Sequence, residues 1–491
     1  MKSNIPSLLL LLSLGASHAA RLSDLVPSLP DLPPLPSRWF SGYYNVSLTR
    51  QIHYMFVESQ GTPATDPVVV WFAGGPGGSM MLDLFMGIMG PFQIDDMVTW
   101  KSDASINPYT INTNTNILYL DNPAGVGFSF VGKDKDYSQN NVQVSLDAFS
   151  VLQQFYGDWS ELRGNPLYVA GHSYGGTYVP YLTWEVHQWN SYYQHVDKNL
   201  TYNLQGYFIF NGLTTFQFDG YYRNAIELLA HFNLIPYQKY IEYVQLNCSL
   251  IDNVIKDRPN YNKPECLEYI FEINRVRMSV DFQDFMENQV IKGSLFGKAK
   301  MLKHEDRVKT QTLANGKEIR RKDGLTLDEL TPWINARGKD RAMLQDREQP
   351  VYLIEWSSYF RRDDVRLALH IPAYVPWFQF HSDEIFENFQ FAIEGAGLIN
   401  DVLKKYNYKM MLVFGDTDGA CSVLGTRKWL KSLGWKRSLS RLPWLDKDEQ
   451  LLGYIEEYGT YSFVTVHGEG HLAMYEKKKE VSDLIMDFIK I

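Results

Sequence analysis

The chain has 491 residues, 45% of them hydrophobic, with a formal net charge of −9. That acidic balance excludes nucleic acid and anionic membrane surfaces as expected partners. Three cysteines and eleven scattered histidines, with no His-Glu-x-x-His, give no reason to expect a metal site or a cofactor.

Lys2 precedes an apolar run from Ile5 to Leu14 and then the small residues of Gly15–Ala20, the layout of a secretory signal peptide cut after Ala19. The run is shorter than the about 20 apolar residues that span a bilayer. The C-terminal Met486–Ile491 carries no lipid-anchor signal. A soluble protein of the secretory route is expected, secreted or vacuolar/lysosomal, with no membrane partner. Sequons at Asn45, Asn199 and Asn247 fit that route, as glycosylation sites or as unused surface asparagines.

Val68–Phe72 reads as a strand that ends in the glycine-rich turn Ala73-Gly74-Gly75-Pro76-Gly77-Gly78-Ser79. Amides in such a turn can face a carbonyl oxygen as it becomes negative. Gly75 N–H is the first expected donor. A phosphate loop would need a following Lys-Ser/Thr, which is missing.

Pro166–Ala170 is a second strand-like run and empties into Gly171-His172-Ser173-Tyr174-Gly175, a G-x-S-x-G nucleophile elbow. A serine on that strained turn has its hydroxyl in open space, and bulky neighbours would strike adjacent backbone. Ser173 is the expected nucleophile, with Tyr174 N–H as the second oxyanion donor.

After the strand Leu204–Phe210, residues 216–349 show helical spacing in places and read as a cap over the active site. Cys248 and Cys266 are close enough to pair across a short loop in an oxidising compartment. Lys317–Gly324 is a basic turn, either a processing site or a solvated loop. Trp356, Tyr359, Trp377, Phe378 and Phe380 cluster before the next strand, as an apolar pocket or as core packing.

Lys409–Phe414 reads as a buried parallel strand and ends in Gly415-Asp416-Thr417-Asp418-Gly419, a turn with two carboxylates. Tyr461–Val466 alternates like a strand and runs into His467-Gly468-Glu469-Gly470-His471. An acid and then a histidine after the serine is the chain order of an α/β-hydrolase triad. Glycines around His471 let its loop approach the elbow, which makes it the expected base and His467 a structural or surface residue.

These segments resemble the serine carboxypeptidase family, α/β-hydrolases that act as secreted and vacuolar acid peptidases. The likeness rests on six motifs in the family's order: Trp71–Ser79, Tyr119–Phe130, Gly171–Pro180, Asp363–His370, Gly415–Asp418 and Gly470–His471. It implies a mostly parallel central sheet flanked by helices, with a largely helical insertion. It also implies Asp418, rather than Asp416, as the catalytic acid, and a peptide or small acyl group as substrate. The expected organisation is a leader over 1–19, a core over 20–215, the insertion over 216–349 and the rest of the core over 350–491. Cys421, three residues past the acid, falls where some relatives hold a buried thiol by the active site. Gly78 stands where many carry a cysteine.

The resemblance also marks a departure. Family members hold the peptide's terminal carboxylate with an asparagine of the glycine-rich loop, a glutamate before the nucleophile and another glutamate downstream. Here Ala73, beside Gly74, and His172 occupy the first two positions, and Leu84–Phe92 contains no acid. His172 either binds the carboxylate as a cation in an acidic lumen or only packs near the elbow. Three readings stay open: a carboxypeptidase with altered recognition, an esterase or acyltransferase on a small molecule, and a non-catalytic binding relative.

Overall fold

The structure is a computed structural model and describes residues 21–85, 89–94, 104–132, 137–219, 221–246, 311–312, 318–319, 357–376, 378–392 and 395–490. The expected leader, Asn247, Cys248, Cys266, Trp356, Trp377 and most of the basic turn and of the cap lie outside the described residues.

Sixteen strands are described: β1 Leu25–Val26, β2 Trp39–Asn45, β3 Arg50–Val57, β4 Val68–Phe72, β5 Phe92–Ile94, β6 Ala104–Ile106, β7 Asn116–Leu120, β8 Phe130–Val131, β9 Leu167–His172, β10 Leu204–Phe210, β11 Gln311–Thr312, β12 Glu318–Ile319, β13 Lys409–Gly415, β14 Leu439–Leu445, β15 Leu451–Glu457 and β16 Tyr461–Val466. Twelve form one sheet in the order β1-β2-β3-β7-β4-β9-β10-β13-β16-β15-β14, with β8 on β3. The six central strands, β7-β4-β9-β10-β13-β16, run parallel. Antiparallel strands flank them on both sides. The sheet is thus mixed, parallel only at its centre. The parallel centre was the legible part, because strands covered on both faces carry continuous apolar runs. Val68-Val-Val-Trp-Phe72 of β4 is buried at every position.

Pairing of β10 with β13 joins the two stretches of sequence on either side of the insertion in a single sheet. Alternate residues divide the core between the two faces. Val70, Leu118 and Val169 pack on one side under the helices α2, Asn141–Asp158, and α3, Gly175–Tyr193. Val69, Trp71, Tyr119 and Ala170 pack on the other against α1, Met80–Phe85, and the C-terminal helix Lys478–Ile489. Asn140 caps α2 by accepting a hydrogen bond from Gln143 N–H.

Among the described residues, the part of the expected cap that follows β10 is helical over Phe216–Asp219, Tyr221–His231 and Tyr237–Gln245. It meets the core through an ion pair between Glu227 and Lys428. The sheet's described edges are β1, only two residues long, and β14, which is mostly exposed and contains Pro443. No described helix is long and apolar enough to cross a membrane. Phe378 and Phe380 stack edge to face at 4.8 Å, and Phe378 packs on Phe360 and Phe128. With Phe378 fully buried, the described part of the aromatic cluster is core packing.

Candidate active site

Five strand ends build the site. β9 stops at His172, the chain reverses at Ser173 with φ of 58°, and α3 starts at Gly175. That left-handed backbone is costly for a side-chain-bearing residue and is what throws the serine outward. A Cβ on Gly171 or on Gly175 would stand 2.9 Å from the Phe72 carbonyl oxygen, so the elbow packs against β4 only with glycine on both sides. Ser173 N–H donates to Phe210 O at 3.0 Å, and its own carbonyl accepts from Leu213 N–H at 2.9 Å.

The loops after β13 and β16 bring the other two groups. His471 Nε2 lies 3.0 Å from Ser173 Oγ, and His471 Nδ1 lies 2.8 Å from Asp418 Oδ2. Asp418 is fully buried. Its Oδ1 accepts from the amides of Ala420 at 2.7 Å and Cys421 at 3.0 Å, while its Oδ2 also accepts from Asn211 Nδ2 at 2.8 Å. Every acceptor position of the carboxylate thus faces a donor. His471 therefore keeps its proton on Nδ1 and turns the Nε2 lone pair to the serine.

Asn211 was missed in the sequence. It stands just past β10 with φ of 44°, and its Nδ2 also donates to Gly470 O at 3.2 Å. One side chain thereby ties the acid to the histidine loop. The dipeptide Asn211-Gly212 at a strand end was the available signal for a left-handed turn. Losing a hydrogen bond to a charged group costs about 1.5–3 kcal/mol, so Asn211→Ala is expected to lower kcat by about ten- to a hundredfold. Steady-state kinetics on folded protein would check this, and an unchanged kcat would remove Asn211 from the site.

Asp416 and His467 have a separate place. His467 Nδ1 is 2.9 Å from Asp416 Oδ2, and Gly468 N–H donates to Asp416 Oδ1 at 2.8 Å. His467 is 57% exposed on its side chain, so the pair is a surface clasp between the acid turn and the histidine loop.

The glycine-rich turn closes on the nucleophile from β4. A Cβ on Gly74 would meet Ser173 Cβ at 2.4 Å, so this position has room for no side chain. Gly75 follows with φ of 116°, and Tyr174 stands at the N-terminus of the 19-residue helix α3. Ala73 is buried at the strand end. Tyr174 turns its hydroxyl to Asn141 Oδ1 at 3.1 Å, and its ring packs on Phe389 and Phe391.

His172 bears on the two readings left open for it. It is buried, its ring centroid lies 4.7 Å from that of His471, and its Nε2 donates to His471 O at 3.0 Å. Desolvation first, and the neighbouring His471 second, hold its pKa well below the usual imidazole value. A neutral imidazole bonded to the histidine loop is not the cation that the carboxylate-binding reading requires. The packing role is the one the geometry supports.

A carboxyl close to the glycine-rich turn also escaped notice. Asp83 in α1 is buried and accepts from Trp71 Nε1 at 2.7 Å. Desolvation pushes its pKa up to about 7. A single acid in the apolar run Met80–Phe85 was the signal for it.

Cys421 is buried beside the acid, in the same core layer as Phe414 and Val423. Asn45 and Asn199 are exposed, the first accepting from Gln51 Nε2 at 2.9 Å. No cluster of metal-ligating side chains occurs among the described residues.

A family model described as serine carboxypeptidase matches residues 29–491. The mouse (Mus musculus) lysosomal protective protein is 31% identical over 502 residues, covering 99% of this chain and 98% of that protein. Serine carboxypeptidase 1 of barley (Hordeum vulgare) is 29% identical over 474 residues, covering 91% and 88%. Among solved structures, Kex1(Δ)p, a prohormone-processing carboxypeptidase from Saccharomyces cerevisiae, superposes with a TM-score of 0.68 at 16% identity, over 96% of this chain and 95% of that one. At that identity the likeness shows the fold, which is α/β-hydrolase.

Proposed function

Because the chain belongs to the serine carboxypeptidase family, we propose that it releases C-terminal residues from peptides through an acyl-enzyme on Ser173, with carboxylate recognition unlike the family's. The observation that carries this reading is the unbroken chain Ser173 Oγ, His471 Nε2, His471 Nδ1 and Asp418, at 3.0 and 2.8 Å. His471 takes the hydroxyl proton as Ser173 Oγ bonds to the scissile carbonyl carbon, and hands it to the leaving amine as the C–N bond breaks. Water then repeats the sequence on the ester and restores the serine. The Gly75 and Tyr174 amides hold the oxyanion, Tyr174 with the added positive end of the α3 dipole. The expected leader and the exposed sequons at Asn45 and Asn199 support work within the secretory route.

One observation favours a second reading. With His172 neutral and engaged, the position before the nucleophile supplies no charge to a substrate carboxylate. An enzyme that no longer selects for a free carboxylate would act as an esterase, or pass its acyl group to an alcohol or amine. A blocked dipeptide, its amide and its ester, compared at acidic and neutral pH, separate the two. Preferred cleavage of the free carboxylate in acid is the expected result. Turnover of the ester alone, or only with an added acceptor, would establish the second reading and overturn the first.

A further inference from the structure

A second cluster of serine, histidine and aspartate lies wholly inside the protein. Ser41, His53 and Asp121 are each fully buried, on β2, on β3 and just after β7. Ser41 Oγ donates its one proton to Leu369 O at 2.6 Å and so accepts from His53 Nε2, 3.0 Å away. Its hydroxyl is thus committed and closed to any substrate. The other side of the imidazole faces Asp121, with Nδ1 3.0 Å from Oδ2.

The far side of Asp121 points at the glycine-rich turn. Its Oδ1 accepts from Ser79 Oγ at 2.6 Å and from Met80 N–H at 3.1 Å, and its Oδ2 also accepts from Phe128 N–H at 3.0 Å. A Cβ on Gly127 would stand 2.4 Å from the carboxylate, so the pocket around it is closed. The turn is therefore fixed at its start by β4 and at its end by this carboxylate. Gly74, against the nucleophile, and Gly75 lie between those two anchors.

We infer that Asp121, backed by His53 and Ser41, is a positioning residue that sets the Gly75 amide for the oxyanion. This rests on the acyl-enzyme reading above. A glycine-rich segment is the most pliable backbone available, and an oxyanion donor works only when it is held in place before charge develops. Three donors, from Ser79, Met80 and Phe128, converge on one carboxylate, and that order at the end of the turn restrains the amide in its middle.

Asp121→Asn directs an NH2 group at two of those donors, and Ser79→Ala deletes only the hydroxyl contact. Both variants are to be assayed on an ester substrate, with the rate of Ser173 labelling by an organophosphorus probe measured in parallel. The expected result is a kcat lowered about a hundredfold in Asp121→Asn and about tenfold in Ser79→Ala, since loss of a whole oxyanion donor costs about 10²–10³. KM should stay within about twofold and labelling should slow in step with kcat, while Ser79→Thr, which keeps the hydroxyl, restores the rate. Should Asp121→Asn fail to fold, the Ser79 pair decides. Unchanged kcat and labelling in folded Ser79→Ala, or a loss carried by KM, would overturn the inference while the acyl-enzyme reading stands. A parent protein that neither turns over nor labels at Ser173 would overturn both.

Discussion

Ser173→Ala lowers kcat by about a millionfold and leaves the protein folded; this is the expected outcome of removing the one atom that must bond to the substrate. The hydroxyl meets His471 Nε2, whereas the fold around it is held by the serine's backbone, through Phe210 O and Leu213 N–H. Alanine carries the same φ of 58° at much the same strain, because both side chains present a Cβ to the left-handed turn. The thermal midpoint should therefore move by only a few degrees while organophosphorus labelling disappears. Residual activity of about 10³–10⁴ over the uncatalysed rate is expected from the backbone amides and substrate binding alone. Turnover or labelling that survived the substitution would mean that another group carries the chemistry, and the non-catalytic reading would follow if the parent showed neither.

The second large effect concerns stability rather than rate. Asp83 holds its proton up to about pH 7 in the folded protein, whereas a solvated aspartate releases it near 3.8. Below about pH 4 both states bind the proton and the group contributes no pH dependence. Between about 4 and 7 the unfolded chain ionises freely while the folded chain stays protonated, so folding stability falls as the pH rises. At 1.36 kcal/mol for each unit, the three units amount to a loss of about 4 kcal/mol, complete once the pH passes 7. Asp83→Asn is expected to remove that slope, since the amide oxygen still accepts from Trp71 Nε1 and carries no titrating proton. His172, whose folded pKa is depressed, acts in the opposite sense and destabilises the fold as the pH falls below the usual imidazole value. Subtracting the variant's stability from the parent's at each pH cancels that contribution. A difference that stays flat from pH 4 to 7 would show that Asp83 is solvated or ionised in the folded protein.

What the sequence disclosed and what it hid differ in kind. β4, β9 and β13 were legible as buried apolar runs and β16 as an alternating one, each ending in glycine or in a chemistry-bearing turn. Ser173, Asp418 and His471 each stand at the exit of such a strand, and the structure joins them into one hydrogen-bonded chain. The flanking strands β2, β3 and β15 were not read, since pairs such as Tyr44 with Ile52 form across a hairpin whose register no single run reveals. Asn211, Asp121 and Asp83 were hidden for a different reason. Each is a lone polar residue at the margin of an apolar stretch, and its meaning comes from partners far away in sequence, such as Asp418 for Asn211 and His53 for Asp121. The two readings of His172 stayed open because an imidazole's charge depends on burial, which adjacent residues do not encode.

At its two described ends the sheet offers little to a passing strand. β1 presents only two residues, too few to template another chain, and in β14 Pro443 interrupts the row of N–H donors while Arg441 adds charge beside it. A chain with so broad a sheet can thus be held at high concentration without its molecules zipping together through these two edges.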